Sequence, residues 1–518
     1  MLDQDIKEGD SLVLQSAARS GARLFFLKVL GISLGLVRVS LLAYFFGVGR
    51  SLEAFFGATV LLSLSSKFLQ SGAISSVFVP VFLENQEKKR EEVWKILSNL
   101  FNLATLMACL LWLALFSASP WIARGLVPGF DSSSQDLVVN LFRILSPVII
   151  LSLVSSLIVS ILNASKKFGL PQWIGILSSL IDIGLIALLV SKMGIFALAV
   201  GMLIGNLVEC ILLIGILRRM GYKHQWTLNL KDPVVRELAR LVYPFFLRMG
   251  VFQATSFFTV GIISFLPSGS YAIYRYASDL IGKLSSLLIQ PIGTVAYTYI
   301  TEETARFQYE EASRRLSRAL KMTFLVTVAP TLILLLTSKQ ITSLLLNRGS
   351  FDPSALIPLA SALSVFGLGL FLNGAFDLFS KTLISLKRTF ALNLFSMIQQ
   401  CVILLLVLLF SQKWGLLGAV WASPLSTLIG ISFLGGVLLV NRFPIIHPLK
   451  DLDFLKIAFA AITAYVLSLI ISQSFLNGSL DILKIAIICL FFGTIYFVTC
   501  WIVRLDEFKL LVRSAFRF

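Results

Sequence analysis

Apolar residues occur in long runs along nearly the whole chain, and polar residues are concentrated in short intervals between these runs. A helix that crosses a bilayer needs about 20 apolar residues. The runs meet this requirement almost end to end, so they predict an all-α polytopic membrane protein with about fourteen transmembrane helices. The predicted spans are 23–47, 54–83, 93–118, 136–163, 170–191, 194–217, 238–265, 271–299, 318–338, 354–383, 389–411, 415–441, 453–474 and 479–503.

Lysine and arginine are distributed unevenly over the intervals between these spans. Counted in alternate intervals, 25 lie on one side and 6 on the other, the smaller set being Arg50, Arg124, Lys192, Lys339, Arg348 and Lys413. Cytoplasmic loops of membrane proteins carry the excess of Lys and Arg. The distribution therefore predicts that both termini face the cytoplasm.

Two parts of the chain resemble each other weakly at a spacing of about 220 residues. The stretches SKFLQSGAISSVFVPVF (66–82) and SSLLIQPIGTVAYTYI (285–300) each precede a polar loop with a Glu-Glu pair. Transporters are often built from two such halves. We therefore predict two six-helix lobes plus two C-terminal helices. The predicted parts are a cytoplasmic N-terminal segment (1–22), an N-lobe (23–220), a cytoplasmic linker (221–237), a C-lobe (238–442), and two further helices with a cytoplasmic tail (443–518).

Composition narrows the class of protein further. The 518 residues are 57% hydrophobic and 14% charged, and a mean hydropathy of +0.89 excludes an ordinary soluble enzyme. In a polytopic protein the net charge of +17 indicates basic cytoplasmic loops rather than nucleic-acid binding. The five cysteines lie in apolar segments without a CxxC spacing, and no GxxxxGK[ST] or HExxH motif occurs. We therefore expect no catalytic residue, metal or cofactor, and a coupling ion or the membrane potential as the energy source.

The first two predicted spans contain charges inside or close to their apolar parts. These are Lys28, Arg38, Glu53 and Lys67. A charge at the bilayer centre costs roughly 3 kcal/mol on insertion scales, so it normally faces a polar cavity or a partner. We therefore expect these two helices to form walls of a wet, cationic chamber.

Further charges lie in the spans of the second half. Arg275, Asp279 and Lys283 are spaced four residues apart, which places them on one stripe of a helix. These three charges either pair with one another near a helix end or form a net positive surface that faces a phosphate. Arg248 either joins such a surface or extends to the membrane interface. Asp377 and Lys381, also four residues apart, most simply pair with each other.

Several stretches together resemble one family of transporters, the lipid II flippases of the MurJ (MviN) family. This family belongs to the multidrug/oligosaccharidyl-lipid/polysaccharide (MOP) exporter superfamily. GLVRVSLLAYFFGVGRSLEAFFGAT (35–59) is similar to the family's segment with the pattern GFARD…FGAG…DAFF. SGAISSVFVPVF (71–82), ILNASKKFGLP (161–171) and LLLNRGSFDPSA (344–355) resemble its EGAFxxAFVPxx, ILNxxxxFxxP and FxRGxFxxxD. The matching pieces span the first twelve predicted helices, and their order and spacing are more specific than any one piece.

The resemblance carries over to some positions of the family's charged residues and departs at others. Arg38, Glu53 and Lys67 stand where the family has a helix-1 arginine, a helix-2 acid and a helix-2 basic residue. The family's other charged positions fall on Ile32, Val39, Ser66, Ser278 and Asp279, so several charges are absent. Lys28, Arg275 and Lys283 lie about one turn from the vacated positions and are the candidates to replace them.

The function implied by the resemblance is a flippase that moves undecaprenyl-diphosphate-linked peptidoglycan precursor (lipid II) across the bacterial cytoplasmic membrane by alternating access. The expected binding residues are Lys28, Arg38, Lys67, Arg248, Arg275 and Lys283, with Glu53, Asp279, Asp377 and Lys381 in charge pairs that act in gating. The expected partners are the lipid-linked glycan, membrane lipids and proteins of cell-wall synthesis, with no nucleic acid. Two alternatives stay open, a flippase for another polyprenyl-linked glycan such as O-antigen or capsule, and a non-transporting scaffold of envelope assembly.

Overall fold

A computed structural model describes most of the chain, namely residues 25–70, 90–165, 167–231, 250–441, 443–444, 452–475, 481–503, 505 and 507–508. Within these residues every regular element is a helix and no strand occurs. The α-helices are α1 (Phe25–Phe46), α2 (Arg50–Gln70), α3 (Arg90–Leu126), α4 (Ser132–Leu145), α5 (Val148–Ala164), α6 (Gly169–Met193), α7 (Phe196–Arg219), α8 (Gly250–Ile263), α9 (Ser270–Ala305), α10 (Tyr309–Leu346), α11 (Leu356–Ser385), α12 (Thr389–Val440), α13 (Asp453–Phe475) and α14 (Asp481–Ile502).

In the described part of the chain, ten helical stretches are long and apolar enough to cross a membrane, with α4 and α5 counted as one stretch. The prediction of an all-helical, multi-pass membrane protein is therefore confirmed. The remaining helices α2, α8 and α9 overlap the predicted spans 54–83, 238–265 and 271–299 but are not among these ten stretches. The number of fourteen spans and the cytoplasmic position of both termini stay predictions.

Several helices are longer than their predicted spans. The interval 318–338 lies inside α10, which has 38 residues and is about 57 Å long at 1.5 Å per residue. Its first turns carry ion pairs between Arg314 and Glu310 and between Arg315 and Glu311. Such pairs stabilise a helix in water. The helix therefore continues past the apolar run from which the span was predicted.

Helix α12 contains two antiparallel arms that meet at Gly415. This glycine has a φ of +58°, which other residues rarely adopt, and it interrupts the helix between the arms 389–414 and 416–440. The rings of Phe395 and Phe433, one on each arm, have centroids 5.6 Å apart. The two intervals 389–411 and 415–441, predicted as separate spans, thus correspond to the two arms of a helical hairpin.

The chain divides into two compact units. The first unit comprises 1–42 and 50–257, and the second comprises 43–49 and 258–518. In the first unit, α6 packs along α7, α2 packs on α4, and a buried apolar cluster joins α3, α5 and α7. Asp131 caps α4, because its carboxylate accepts a hydrogen bond from the Ser134 amide. Hydrogen bonds from Ser133 and Ser134 lower the pKa of Asp131 to about 2.

In the second unit α11 is the central helix, since it packs on α9, α10 and α12. A separate apolar cluster joins α10 to α13 and α14, where Ala460, Ala461 and Ala464 are fully buried. Small residues let membrane helices approach each other closely. The Tyr496 hydroxyl donates a hydrogen bond to the carbonyl of Leu325 at 3.0 Å, which attaches α14 to α10.

The turn after α1 belongs to this second unit and contacts the turn after α10. The Ser350 amide donates to the carbonyl of Tyr44 at 2.8 Å, and the Tyr276 hydroxyl donates to the carbonyl of Gly47 at 3.1 Å. Gly47 and Gly349 have φ values of +60° and +63°, and a Cβ on either would collide with the other turn. The stretches FFGVGR and NRGSF, which carried part of the family resemblance, therefore meet in the fold.

Candidate functional site

Arg38 on α1 forms an ion pair with Asp182 on α6 inside the first unit. The Arg38 Nε atom lies 2.6 Å from Asp182 Oδ2, and the two side chains are 28% and 11% exposed. The Arg38 Nη2 and Asp182 Oδ1 atoms are buried and have no hydrogen-bond partner within the described residues. The sequence indicated both charges but could not assign them to each other. The pair therefore keeps one donor and one acceptor available for another group.

Two glycines of α7 bring the backbone of that helix against Asp182. A Cβ on Gly201 would lie 2.8 Å from Asp182 Oδ1 and 3.1 Å from the Asp182 carbonyl oxygen. A Cβ on Gly205 would lie 3.0 Å from the carbonyl oxygen of Ser178, one turn earlier on α6. Glycines four residues apart permit such close helix packing in membranes. The α6–α7 contact thus positions the carboxylate that binds Arg38.

Glu53 on α2 is fully buried and pairs within its own helix. Its Oε2 atom lies 2.9 Å from Arg50 Nη1, and the guanidinium of Arg50 lies 4.3 Å from the centroid of the Phe130 ring. Arginine over an aromatic face is a favourable cation–π arrangement. Glu53 therefore forms an intra-helix pair at the start of α2, while its role in gating stays a prediction.

The stripe predicted on α9 contains one ion pair. Arg275 Nε lies 3.2 Å from Asp279 Oδ2, and the two side chains are 40% and 34% exposed. Lys283, one turn further on, is half-buried and makes contacts of its own. The stripe is thus partly neutralised, and its contact with a phosphate stays a prediction.

Asp377 and Lys381 pair on α11 close to α9. Lys381 Nζ donates to Asp377 Oδ2 at 2.6 Å. A Cβ on Gly293 of α9 would collide with both of these side-chain atoms. The absence of a side chain at Gly293 makes room for the ion pair. The intra-helix pairing is observed, and its role in gating stays a prediction.

Three of the predicted binding residues lie at the limits of the described structure. Lys67 belongs to α2 by its backbone, but its side chain lies outside the described residues, as does Arg248 entirely. Lys28 on α1 is half-buried and contacts other groups. The prediction that Lys28 and Lys67 line a cationic chamber, and that Arg248 binds the substrate, therefore stays a prediction.

A buried cluster in the second unit was not predicted from the sequence. Lys321 on α10 is almost fully buried, and its Nζ atom lies 2.7 Å from Glu507 Oε1 and 3.1 Å from Asp453 Oδ2. These carboxylates come from the start of α13 and from the chain beyond α14. In the sequence, the one sign of this cluster is a lysine near the start of an apolar run. Its partners could not be identified from the sequence, because they are 132 or more residues away. The cluster attaches the two C-terminal helices to α10.

Next to this cluster the second unit contains a cavity of about 820 Å³. It is lined by apolar residues of α9 and α10, including Pro291, Val295 and Met322, and by charged residues, namely Arg315, Arg318 and the three members of the cluster. The guanidinium of Arg315 also lies 5.4 Å from the centroid of the Tyr299 ring. In the part of the chain that is described, no group of three His, Cys, Asp or Glu side chains could hold a metal ion. The cavity thus combines an apolar wall with a group of charges of both signs.

Comparison with curated proteins agrees with the resemblance found in the sequence. The lipid II flippase MurJ of Burkholderia cenocepacia is 26% identical over 346 residues, which cover 65% of this chain and 67% of that protein. The probable lipid II flippase MurJ of Thermotoga maritima is 25% identical over 484 residues, which cover 93% of this chain and 95% of that protein. The similarity thus extends over nearly the full length of a relative.

Comparison with solved structures gives the same family. A lipid II flippase MurJ in an inward closed conformation matches with a TM-score of 0.79 and 25% identity, covering 93% of this chain and 98% of that one. An inward-facing multidrug resistance MATE family transporter of the MOP superfamily matches with a TM-score of 0.66 and 13% identity, covering 80% of this chain and 98% of that one. The second match shows a shared fold alone.

The family model described as lipid II flippase MurJ matches residues 42–494. This range includes every helix of the described structure from α2 to α13 and most of α14. The resemblance inferred from the sequence is confirmed, and the chain belongs to the lipid II flippase MurJ family.

Proposed function

We propose that this chain is a flippase that moves lipid II from the cytoplasmic to the outer leaflet of the bacterial cytoplasmic membrane by alternating access. The observation that carries the proposal is the family match over residues 42–494, supported by the fold match to a lipid II flippase over 93% of the chain. The relatives are transporters rather than enzymes. A diphosphate and sugar head group cannot cross hydrocarbon unaided, because its polar groups would lose their hydration.

The diphosphate would bind cations that lie within the membrane. We propose Lys28, Arg38, Lys67, Arg248, Arg275 and Lys283 as these residues. Support comes from the buried Nη2 of Arg38, which has no hydrogen-bond partner in the described structure, and from the net positive charge of the stripe formed by Arg275, Asp279 and Lys283. Hydrogen bonds from guanidinium to phosphate are charge-assisted and strong. The carboxylates of Asp182 and Asp279 would hold the two arginines while no substrate is bound.

The charge pairs of Glu53, Asp279, Asp377 and Lys381 would change partners as the transporter switches between its two states. An ion pair inside a membrane protein is costly to break without replacement, so it can stabilise one state over another. The cavity beside α9 and α10, together with α13 and α14, is proposed to bind part of the polyprenyl tail. The apolar residues Pro291, Val295 and Met322 in its lining support that role.

The finer architecture proposed here is the one predicted from the sequence. It comprises fourteen spans with both termini in the cytoplasm, an N-lobe at 23–220, a C-lobe at 238–442 and two additional helices. The excess of Lys and Arg in alternate loops supports the orientation. A coupling ion or the membrane potential would drive transport, and proteins of cell-wall synthesis would be its partners.

A flippase for another polyprenyl-linked glycan is the second candidate. It is favoured by the uncharged residues Ile32, Val39, Ser66 and Ser278 at positions where the family has charges. A different set of cations would bind a different head group, although the diphosphate would be common to both substrates.

The proposal is tested by replacing the native lipid II flippase of a tester bacterium. The native protein is depleted, and growth is measured with this chain, with Arg38→Ala, with Lys283→Ala, and with Lys413→Ala as a matched loss of an exposed cation. We expect rescue by the unchanged chain and by Lys413→Ala, and no rescue by the other two variants. Failure of the unchanged chain, with the protein present in the membrane, would contradict lipid II as substrate and favour another glycan or a scaffold.

A further inference from the structure

The segment that follows α7 is bound to α3 through its backbone. We call residues 222–231 the strap. Asn99 of α3 donates to the carbonyl of Asn229 at 3.1 Å and accepts from its amide at 2.8 Å. Asn102 donates to the carbonyls of Gln225 and Thr227 at 2.9 and 3.0 Å. Because these contacts satisfy backbone groups at alternate positions, they hold the strap extended along the helix.

The other face of the strap exposes apolar side chains. Trp226 is 90% exposed, and Leu228 and Leu230 are also largely exposed. Side chains of alternate residues in an extended chain point to the same side, so Trp226, Leu228 and Leu230 share one side of the strap. Tryptophan and leucine exposed next to membrane-spanning helices are typical of the boundary between head groups and acyl chains.

A cavity of about 490 Å³ lies between the strap and α3, α5 and α7. Its polar rim consists of Arg218, Tyr222 and His224, with Trp226 beside them. Its interior is apolar and is lined chiefly by Phe101, Leu106, Cys109, Ile158, Ile214 and Leu228. Such a shape accepts a hydrocarbon chain below and a polar group at the rim.

The cavity is continuous with the lipid-facing surface of α3. Leu106 lines the cavity and is itself exposed, and Met107, Leu110 and Leu113 continue the exposed apolar surface along the same helix. In a membrane this surface of α3 is covered by acyl chains. A chain from the bilayer therefore reaches the cavity without crossing a polar barrier.

Among the described residues that line the cavity, Arg218 alone carries a formal charge. Further basic residues of α3, α7 and the strap are Lys95, Arg219, Lys223 and Lys231. The excess of basic residues predicts that this end faces the cytoplasm. The cytoplasmic leaflet has a negative surface potential that attracts basic segments.

We propose that this cavity binds one anionic phospholipid of the cytoplasmic leaflet, with an acyl chain inside and the head-group phosphate on Arg218. The strap closes the site from the aqueous side, and Trp226, Leu228 and Leu230 enter the membrane interface beside the bound lipid. The site lies within the first unit and is separate from the residues proposed to bind lipid II. It would remain even if the transported glycan were a different one.

The test measures lipids retained by the purified full-length chain in detergent by native mass spectrometry. The added lipid is phosphatidylglycerol, or phosphatidylcholine as the zwitterionic comparison. We expect Arg218→Gln to weaken retention of phosphatidylglycerol about tenfold through loss of a charge-assisted contact. Arg219→Gln is the matched control, since it removes the same charge from the next residue of α7, which does not line the cavity. Equal loss in both variants would show general attraction to a basic surface and would overturn the proposal.

A second pair of variants tests the apolar part of the site. Cys109→Leu narrows the cavity and should reduce retention, whereas Cys489→Leu, at another half-buried cysteine on α14, should not. Equal retention of phosphatidylcholine and phosphatidylglycerol by the unchanged chain would overturn the requirement for an anionic head group. Displacement of the lipid by millimolar inorganic phosphate would show a site for free anions and would likewise overturn the proposal.

Discussion

Arg38 and Asp182 show how a membrane protein of this family can keep an arginine within an apolar helix. The carboxylate lies on a different helix, 144 residues further along the chain, and it is more buried than the arginine. A buried carboxylate that lost its cation would be uncompensated, which is more costly than the pair itself. The two side chains are therefore expected to depend on each other for stability.

A double-mutant cycle tests this dependence. We expect Asp182→Asn to lower the stability of the protein in detergent by about 1–3 kcal/mol, because it leaves the half-buried arginine without its charged partner. Adding Arg38→Gln should cause less further loss than Arg38→Gln causes in the unchanged chain. Stability is measured as the midpoint of thermal unfolding for the four proteins of the cycle.

The pair of Arg275 and Asp279 provides the matched control for that cycle. Its two side chains are 40% and 34% exposed, so solvent screens their attraction, and their coupling should not exceed about 1 kcal/mol. Strictly additive effects of the Arg38 and Asp182 substitutions would contradict the interpretation that the two charges stabilise each other.

The ion pairs also show which parts of the site the sequence could predict. Asp377–Lys381 and Arg275–Asp279 are four residues apart, and helix geometry places such residues side by side. The partner of Arg38 could not be found in this way, because spacing along one helix says nothing about which other helix it contacts. Lys321 with Asp453 and Glu507 is a second case of this kind. Local pairs were therefore predictable, whereas pairs between helices required the fold.

At the scale of helices, hydrophobicity predicted where the helices lie better than where they end. The length of an apolar run reflects the thickness of the hydrocarbon core that the helix must cross. The ends of α9 and α10 extend further because Glu and Arg pairs, such as Glu302 with Arg306, stabilise helix outside the apolar region. The sequence does predict the reversal of the chain near Gly415, since the polar stretch SQKWG separates the two apolar runs there. The sequence could not predict contacts such as that of Gly201 with Asp182, because they depend on the relative position of two helices.

The packing of α6 on α7 gives a prediction at this scale. Gly201→Ala would place a Cβ 2.8 Å from Asp182 Oδ1 and 3.1 Å from the Asp182 carbonyl oxygen, and backbone cannot move as easily as a flexible side chain. We expect a loss of about 1–3 kcal/mol, the usual range for overpacking. The measurement is the midpoint of thermal unfolding, together with the yield of monodisperse protein.

Gly215→Ala is the matched control on the same helix. A Cβ on Gly215 meets nothing within 4 Å, so the substitution should be neutral or slightly stabilising through the higher helix propensity of alanine. Equal destabilisation by both substitutions would mean that α7 responds to the loss of glycine itself rather than to its contact with Asp182.

At the scale of the whole molecule, the distribution of Lys and Arg predicts the orientation in the membrane. The first arm of α12 separates residues assigned to opposite sides, with Lys387 and Arg388 before it and Lys413 at its end. About 25 residues of helix extend about 37 Å, which exceeds the roughly 30 Å of hydrocarbon. Arg388 and Lys413 are both exposed. Reagents in water should therefore reach them from opposite sides of the membrane.

Single cysteines at these two positions test the orientation in intact cells. With the five native cysteines replaced by alanine, we expect a membrane-impermeant maleimide to label Lys413→Cys from outside and to label Arg388→Cys only after permeabilisation. The chain without cysteines is the background control, and labelling of both variants after permeabilisation shows that both sites are accessible. The reverse pattern would place the basic loops outside, against the rule that Lys and Arg accumulate on the cytoplasmic side. Labelling of both cysteines in intact cells would instead contradict the conclusion that this arm of α12 crosses the membrane.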